Sequence, residues 1–112
     1  MAVAALSFIQ SVSAQLAISE FMAANSITLK DEDNAYSDWI EVFNGGTSTT
    51  NLDGWFLTDS PANLTKWRFP ATNLPPNGFL IVFASGKNRA IAGAPLHANF
   101  QLSAGGEYLA LV

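Results

Sequence analysis

The chain has 112 residues, nine acids against five Lys and Arg, and a formal net charge of −4. That length fits one domain, and folding should bury roughly 65% of the unfolded chain's surface. With 49% apolar and 12% charged residues, neither a disordered tail nor a nucleic-acid binder built on phosphate neutralisation is expected. Cysteine is absent, which excludes a disulfide framework and a thiolate metal site.

The chain opens on a short apolar run from Met1 to Ile9, followed by Val12-Ser13-Ala14. Small residues at these positions match a signal-peptidase site, with cleavage after Ala14 and a mature start at Gln15. No Lys or Arg precedes Lys30, so the basic n-region of a signal peptide is missing. Residues 1–14 are therefore expected to be a signal-peptide remnant, the alternative being an N-terminal helix or strand packed on the domain. No stretch approaches the ~20 apolar residues of a transmembrane helix.

Leu16 to Ala23 alternates as a first strand, with Leu16, Ile18 and Met22 as inward candidates. Asn25 to Tyr36 is polar and acidic and reads as a loop. Asp38 to Asn44 is the second strand. Because Glu41 is costly to bury unpaired, Ile40 and Val42 should face the core, leaving Trp39 and Phe43 on a partly covered outer face. After a Gly/Ser/Thr turn, Asn51 to Thr58 is a third strand with Trp55 and Leu57 inward, where Gly54 permits a bulge or a close backbone approach. Thr65 to Phe69 is a short strand closed by Pro70.

Leu74-Pro75-Pro76-Asn77-Gly78 suits a turn, with Pro76 fixing φ and Gly78 in fourth place. Phe79 to Ala84 is apolar on both faces and should be a central, doubly covered strand, with Leu80 and Val82 in the core. Leu96 to Leu102 alternates, and Glu107 to Val112 forms the last strand, with Leu109 and Leu111 inward. About seven short strands between turn clusters indicate an all-β sandwich. The chain ends inside a strand, so a fragment of a longer protein is expected.

Candidate chemistry is thin. Asp31, Asp33 and Asp38 are calcium candidates, since closely spaced carboxylates supply the oxygens that calcium needs, but the Gly and terminal Glu of an EF-hand loop are missing. His97 is the single histidine; it is expected on the outer face of its strand, and no Gly-x-Ser-x-Gly elbow accompanies it. Glu41, with Glu20 or Glu107, is eligible by type for glycoside hydrolysis, yet an ion pair of Glu41 with Lys66 or Arg68 is the plainer expectation. Trp39, Trp67, Tyr36 and Phe56, beside Arg68, are candidates for an exposed platform that contacts carbohydrate or a partner protein. Asn63-Leu64-Thr65 fits a glycosylation sequon, meaningful in a eukaryotic secretory host.

Trp39-Ile40-Glu41-Val42-Phe43-Asn44, Leu52-Asp53-Gly54-Trp55-Phe56-Leu57, Trp67-Arg68-Phe69-Pro70, Pro76-Asn77-Gly78 and Gly106-Glu107, in this order from about Leu16 to the end, resemble the lamin-tail domain. The acidic segment 30–38 and the ending 102–111 are similar to its bacterial, secreted branch. The resemblance implies an immunoglobulin-like β-sandwich over residues 15–112. It also implies a non-catalytic binding or spacer module of an exported or cell-surface protein. Partners would be other domains of the same polypeptide or surface proteins, with no nucleic acid and no cofactor. The alternatives are a calcium- or carbohydrate-binding accessory domain and part of an extracellular hydrolase. The chromatin contacts of nuclear lamins transfer badly to an acidic chain without basic clusters.

Overall fold

The computed structural model describes the backbone of residues 2–4, 8–9, 15–106 and 108–112, and side chains from residue 15 onward within those ranges. Among the described residues eleven strands follow in chain order: β1 Ala2–Ala4, β2 Phe8–Ile9, β3 Leu16–Met22, β4 Asp38–Asn44, β5 Thr50–Asn51, β6 Phe56–Thr58, β7 Trp67–Arg68, β8 Asn73–Leu74, β9 Phe79–Ala84, β10 Leu96–His97 and β11 Ala110–Leu111. They form a five-stranded sheet (β2-β1-β11-β6-β7), a four-stranded sheet (β10-β9-β4-β3) and the small pair β5-β8. Every pairing is antiparallel except β10 with β9. The all-β sandwich is present, in more and shorter strands than the sequence suggested.

The period of two explains the core. In β4, Ile40, Val42 and Asn44 are fully buried, while Trp39, Glu41 and Phe43 point to the other face. Register carries that division across the sheet: Ile40 lies opposite Val82, Val42 opposite Leu80 on β9 and opposite Ile18 on β3. From the facing sheet, Leu57, Leu111 and Trp67 align side by side and close the core with Leu109. Leu52, Phe69, Leu74, Leu96, Ala98 and Phe100 fill its flanks. Trp55 and Leu80, expected inside, are half-buried and pack against this cluster from its margin. Met22 is also half-buried: a bulge between Ile18 and Glu20 shifts the register and places it opposite Trp39 on the outer face.

Several expected strands are shorter. The run Asn51 to Thr58 is broken by a turn in which the Trp55 N–H donates to the Leu52 carbonyl at 3.0 Å. Gly54 adopts φ +86° there, and an added Cβ would meet nothing within 4 Å, so its backbone conformation, rather than a bulge or close approach, calls for glycine. In the Pro75–Gly78 turn, Asn77 takes φ +61° and the Gly78 N–H returns to the Pro75 carbonyl at 2.9 Å, as the Pro-Asn-Gly order anticipates. β9 is central in its sheet but not covered throughout. Val82, Phe83 and Ala84 are buried, whereas Phe79 is 58% exposed.

Asn44 ties the sheet to its connecting turns. Its Nδ2 donates to the carbonyls of Leu74 (2.8 Å) and Ser48 (3.0 Å), and its Oδ1 accepts from the Gly46 N–H. A buried amide with all these partners is satisfied rather than costly. At the N-terminus, β1 pairs with β11 through Ala2 opposite Leu111. The expected cleavage site, Val12-Ser13-Ala14, lies outside the described residues.

Candidate functional site

The outer face of the four-stranded sheet carries the polar chemistry at one end. The loop after β3 is organised from within. Asn25 Nδ2 donates to the carbonyls of Leu29 and Ser37, and its Oδ1 accepts from the Thr28 backbone N–H and hydroxyl. Asp31 plays the same part further on. Its Oδ1 accepts from the N–H groups of Asp33 and Ala35, and its Oδ2 from the Ser37 hydroxyl and Lys87 Nζ, both at 2.7 Å. Asn34, at φ +64°, lets the loop turn back so that these amides reach one carboxylate.

The folded loop is clamped by the β9–β10 connection. Lys87 Nζ bridges Asp31 and Asp33 at 2.7 and 2.8 Å, and Arg89 Nη1 bridges Glu32 and Asp33, both at 2.9 Å. Burial alone would push the Asp31 carboxyl up, but the bonds from Lys87, Ser37, Ala35 and Asp33 outweigh it and hold it well below the usual carboxylate range. The bonds from Lys87 and Arg89 lower Asp33; Glu32 is lowered by His97 and Arg89 against the opposing effect of burial. Lys87 and Arg89 are raised in return by the acids they touch.

Beneath the loop lies His97, 0% exposed and stacked on Phe83 with ring centroids 5.2 Å apart. The expectation that it stands on the outer face is met, but the Glu32 loop buries it there. Its Nδ1 is 2.7 Å from Ser85 Oγ and its Nε2 is 2.5 Å from Glu32 Oε1. The Lys87 N–H donates to Ser85 Oγ at 3.1 Å, and the Glu32 carboxylate, an acceptor, calls for a proton on Nε2. Serine, histidine and glutamate thus stand in the order of a nucleophile, base and orienting acid. Each is bound within the network, with Arg89 on the remaining Glu32 oxygen. The arrangement works as a clamp between the loop and the sheet.

Of the three calcium candidates, Asp31 and Asp33 meet here, and ligand atoms of Asp31, Glu32 and His97 lie within 4.8 Å of one another. The Lys87 ammonium and the Arg89 guanidinium already supply positive charge to these carboxylates. Asp38 serves elsewhere, accepting from the backbone N–H groups of Asn25 (3.2 Å) and Leu102 (3.1 Å).

The aromatic platform is not assembled as expected. Trp67 is 3% exposed, because its register opposite Leu57 turns it into the core, where it meets Phe69 edge-on at 5.0 Å. Trp39 is on the outer face but 9% exposed, set between Phe83 and Met22. Tyr36 remains open at 44%, with Lys30 Nζ 5.0 Å from its ring centre. Arg68 is exposed and paired with Asp53 at 2.9 Å, and Lys66 pairs with Asp59 at 2.6 Å. Neither base reaches Glu41, which accepts instead from the Ser19 hydroxyl at 2.9 Å. Asn63 of the sequon is exposed, and its side-chain oxygen accepts from the Thr65 N–H.

At the opposite end of the outer face Phe79 is open to solvent. Phe43 on β4 lies directly opposite Phe79 on β9, ring centroids 4.7 Å apart, with half-buried Ile81 next along the strand. Sequence reasoning missed this pair because Phe79 sits in a run that is apolar on both faces. Lys87 and Arg89 were missed as partners of the acidic loop because more than fifty residues separate them from it. The surplus of bases in the second half of the chain was the available signal.

Neither the curated proteins nor the solved structures contain a significant match to this chain. A family model, the Lamin Tail Domain, matches residues 9–112. Together with the sandwich and the order of its signature strands, this match shows that the chain belongs to the lamin tail domain family.

Proposed function

We propose that the domain is a non-catalytic interaction module, a binding or spacer unit of an exported or cell-surface protein. Family membership supports the coarser part of this reading, an immunoglobulin-like interaction domain. The observation that carries the finer part is the distribution of polar groups on the outer face. The acids, bases and histidine of the clamp satisfy one another, which leaves that machinery occupied by the fold. The other end presents Phe79 to solvent, leaning on the half-buried Phe43. Catalysis needs a nucleophile or acid–base pair directed at a substrate. Contact needs an exposed apolar surface.

The test is a substrate screen of the purified full chain with ester, glycoside and phosphoester chromogens, with Glu41→Gln and His97→Ala as controls. No turnover that depends on either residue is expected; turnover abolished by either substitution overturns the reading. Export is tested separately by N-terminal sequencing of protein recovered outside the producing cell, which should begin at Gln15.

A further inference from the structure

We infer that the open end of the outer sheet face docks a cationic, apolar segment of a partner polypeptide, Phe43, Phe79 and Ile81 taking its apolar side chains and Glu20 and Glu41 its Lys or Arg. The inference rests on the interaction-module reading and names the partner's chemistry. Its basis is an imbalance of charge within an apolar surface. Glu20 on β3 and Glu41 on β4 are direct cross-strand partners, and like charges directly opposite one another destabilise a sheet. Glu41 lies opposite Ile81 on its other side, one pleat from the Phe43–Phe79 pair.

Among the described residues no base relieves this pair. The five Lys and Arg are placed elsewhere: Lys66 on Asp59, Arg68 on Asp53, Lys87 and Arg89 in the clamp, and Lys30 over Tyr36. Protection of a sheet edge accounts for a charge on β3, which is the outermost strand of its sheet among the described residues and carries a bulge. It does not account for Glu41, because β4 is an interior strand. Glu20 and Glu41, which have no base beside them among the described residues and of which Glu41 meets only the neutral Ser19 hydroxyl, stand next to the exposed Phe79 ring and complement an incoming segment with a positive charge flanked by apolar side chains. Burial of the Phe79 ring would supply the affinity, and the carboxylates the selection against acidic segments.

The test is an NMR titration of the isotope-labelled full chain with three synthetic peptides. One alternates Lys with Leu and Phe, the second replaces each Lys by Glu, and the third replaces each apolar residue by Ser. Amide shifts centred on residues 20, 41, 43, 79 and 81 are expected with the first peptide, and at least about tenfold weaker binding with the other two. Phe79→Ser should weaken the first peptide by a similar factor. The double variant Glu20→Gln, Glu41→Gln keeps the apolar surface and should remove the preference for Lys over Glu. Equal binding of the Lys and Glu peptides, shifts centred on the clamp, or no shift at millimolar peptide would each overturn the assignment. So would a dimer in sedimentation that Phe79→Ser dissolves, since a second copy would then be the occupant. These failures leave the non-catalytic reading standing. That reading falls instead to turnover that depends on Glu41 or His97.

Discussion

The two ends of one sheet face have opposite fates. At the His97 end the acidic loop folds over the strands, and every carboxylate from Asp31 to Asp33 meets a base from the β9–β10 connection. At the Phe79 end, the sheet presents a tilted pair of rings, Phe79 exposed and Phe43 half-buried, and two carboxylates without a base among the described residues. Lys87 and Arg89 are placed where the loop must be held down, Lys66 and Arg68 pair with Asp59 and Asp53, and the Glu20–Glu41 surface keeps its charge. Charged residues are therefore informative on this protein by whom they are paired with, more than by their type.

The largest expected effect breaks the closed end. Asp31→Ala removes a buried carboxylate that accepts four hydrogen bonds; it leaves the two amides and the Ser37 hydroxyl without this acceptor and Lys87 with Asp33 alone. A loss of about 3 kcal/mol is expected in urea unfolding. His97→Ala should cost somewhat less, about 2 kcal/mol, by opening a cavity under the loop and freeing Ser85 and Glu32.

Acid should loosen the same end. The Asp31 carboxyl is held below its ordinary value of 3.8, so the stability it contributes is complete above about pH 5. It is lost as pH falls through the ordinary carboxylate range towards the depressed folded value. Unfolding measured from pH 6 downward should show this decline, and Asp31→Asn should flatten it.

Smaller effects sharpen the contrast. With Lys87 and Arg89 on the acidic loop, millimolar calcium should leave the melting temperature unchanged; a rise would show the cations giving way to the metal. Phe79→Ser should change stability by less than about 0.5 kcal/mol, as for an exposed side chain away from the core, while it removes peptide binding.

Local pattern made much of the fold legible. Ile40, Val42, Leu57, Val82, Leu109 and Leu111 were assigned to the core from a period of two and the cost of burying Glu41, and all are buried. The Pro75–Gly78 turn follows from residues whose preferred φ fits their positions. Trp67 could not be placed this way, because in a two-residue strand the register with Leu57, set by distant pairing, decides its face. The clamp was illegible for the same reason. Asp31 and Lys87 are brought together by tertiary folding, and no local spacing encodes that encounter. His97 was correctly set on the outer face, but the loop that covers it comes from the other half of the chain.

The contrast between the two ends is tested most directly by the relaxation of phenylalanine ring protons with a soluble paramagnetic agent, in the free chain and with saturating Lys/Leu/Phe peptide. Phe83, stacked on His97, should be protected in both states. Phe79 should relax strongly in the free chain and become protected in the complex. Equal relaxation of Phe79 and Phe83 in the free chain, or a Phe79 ring still open at saturation, would contradict the account.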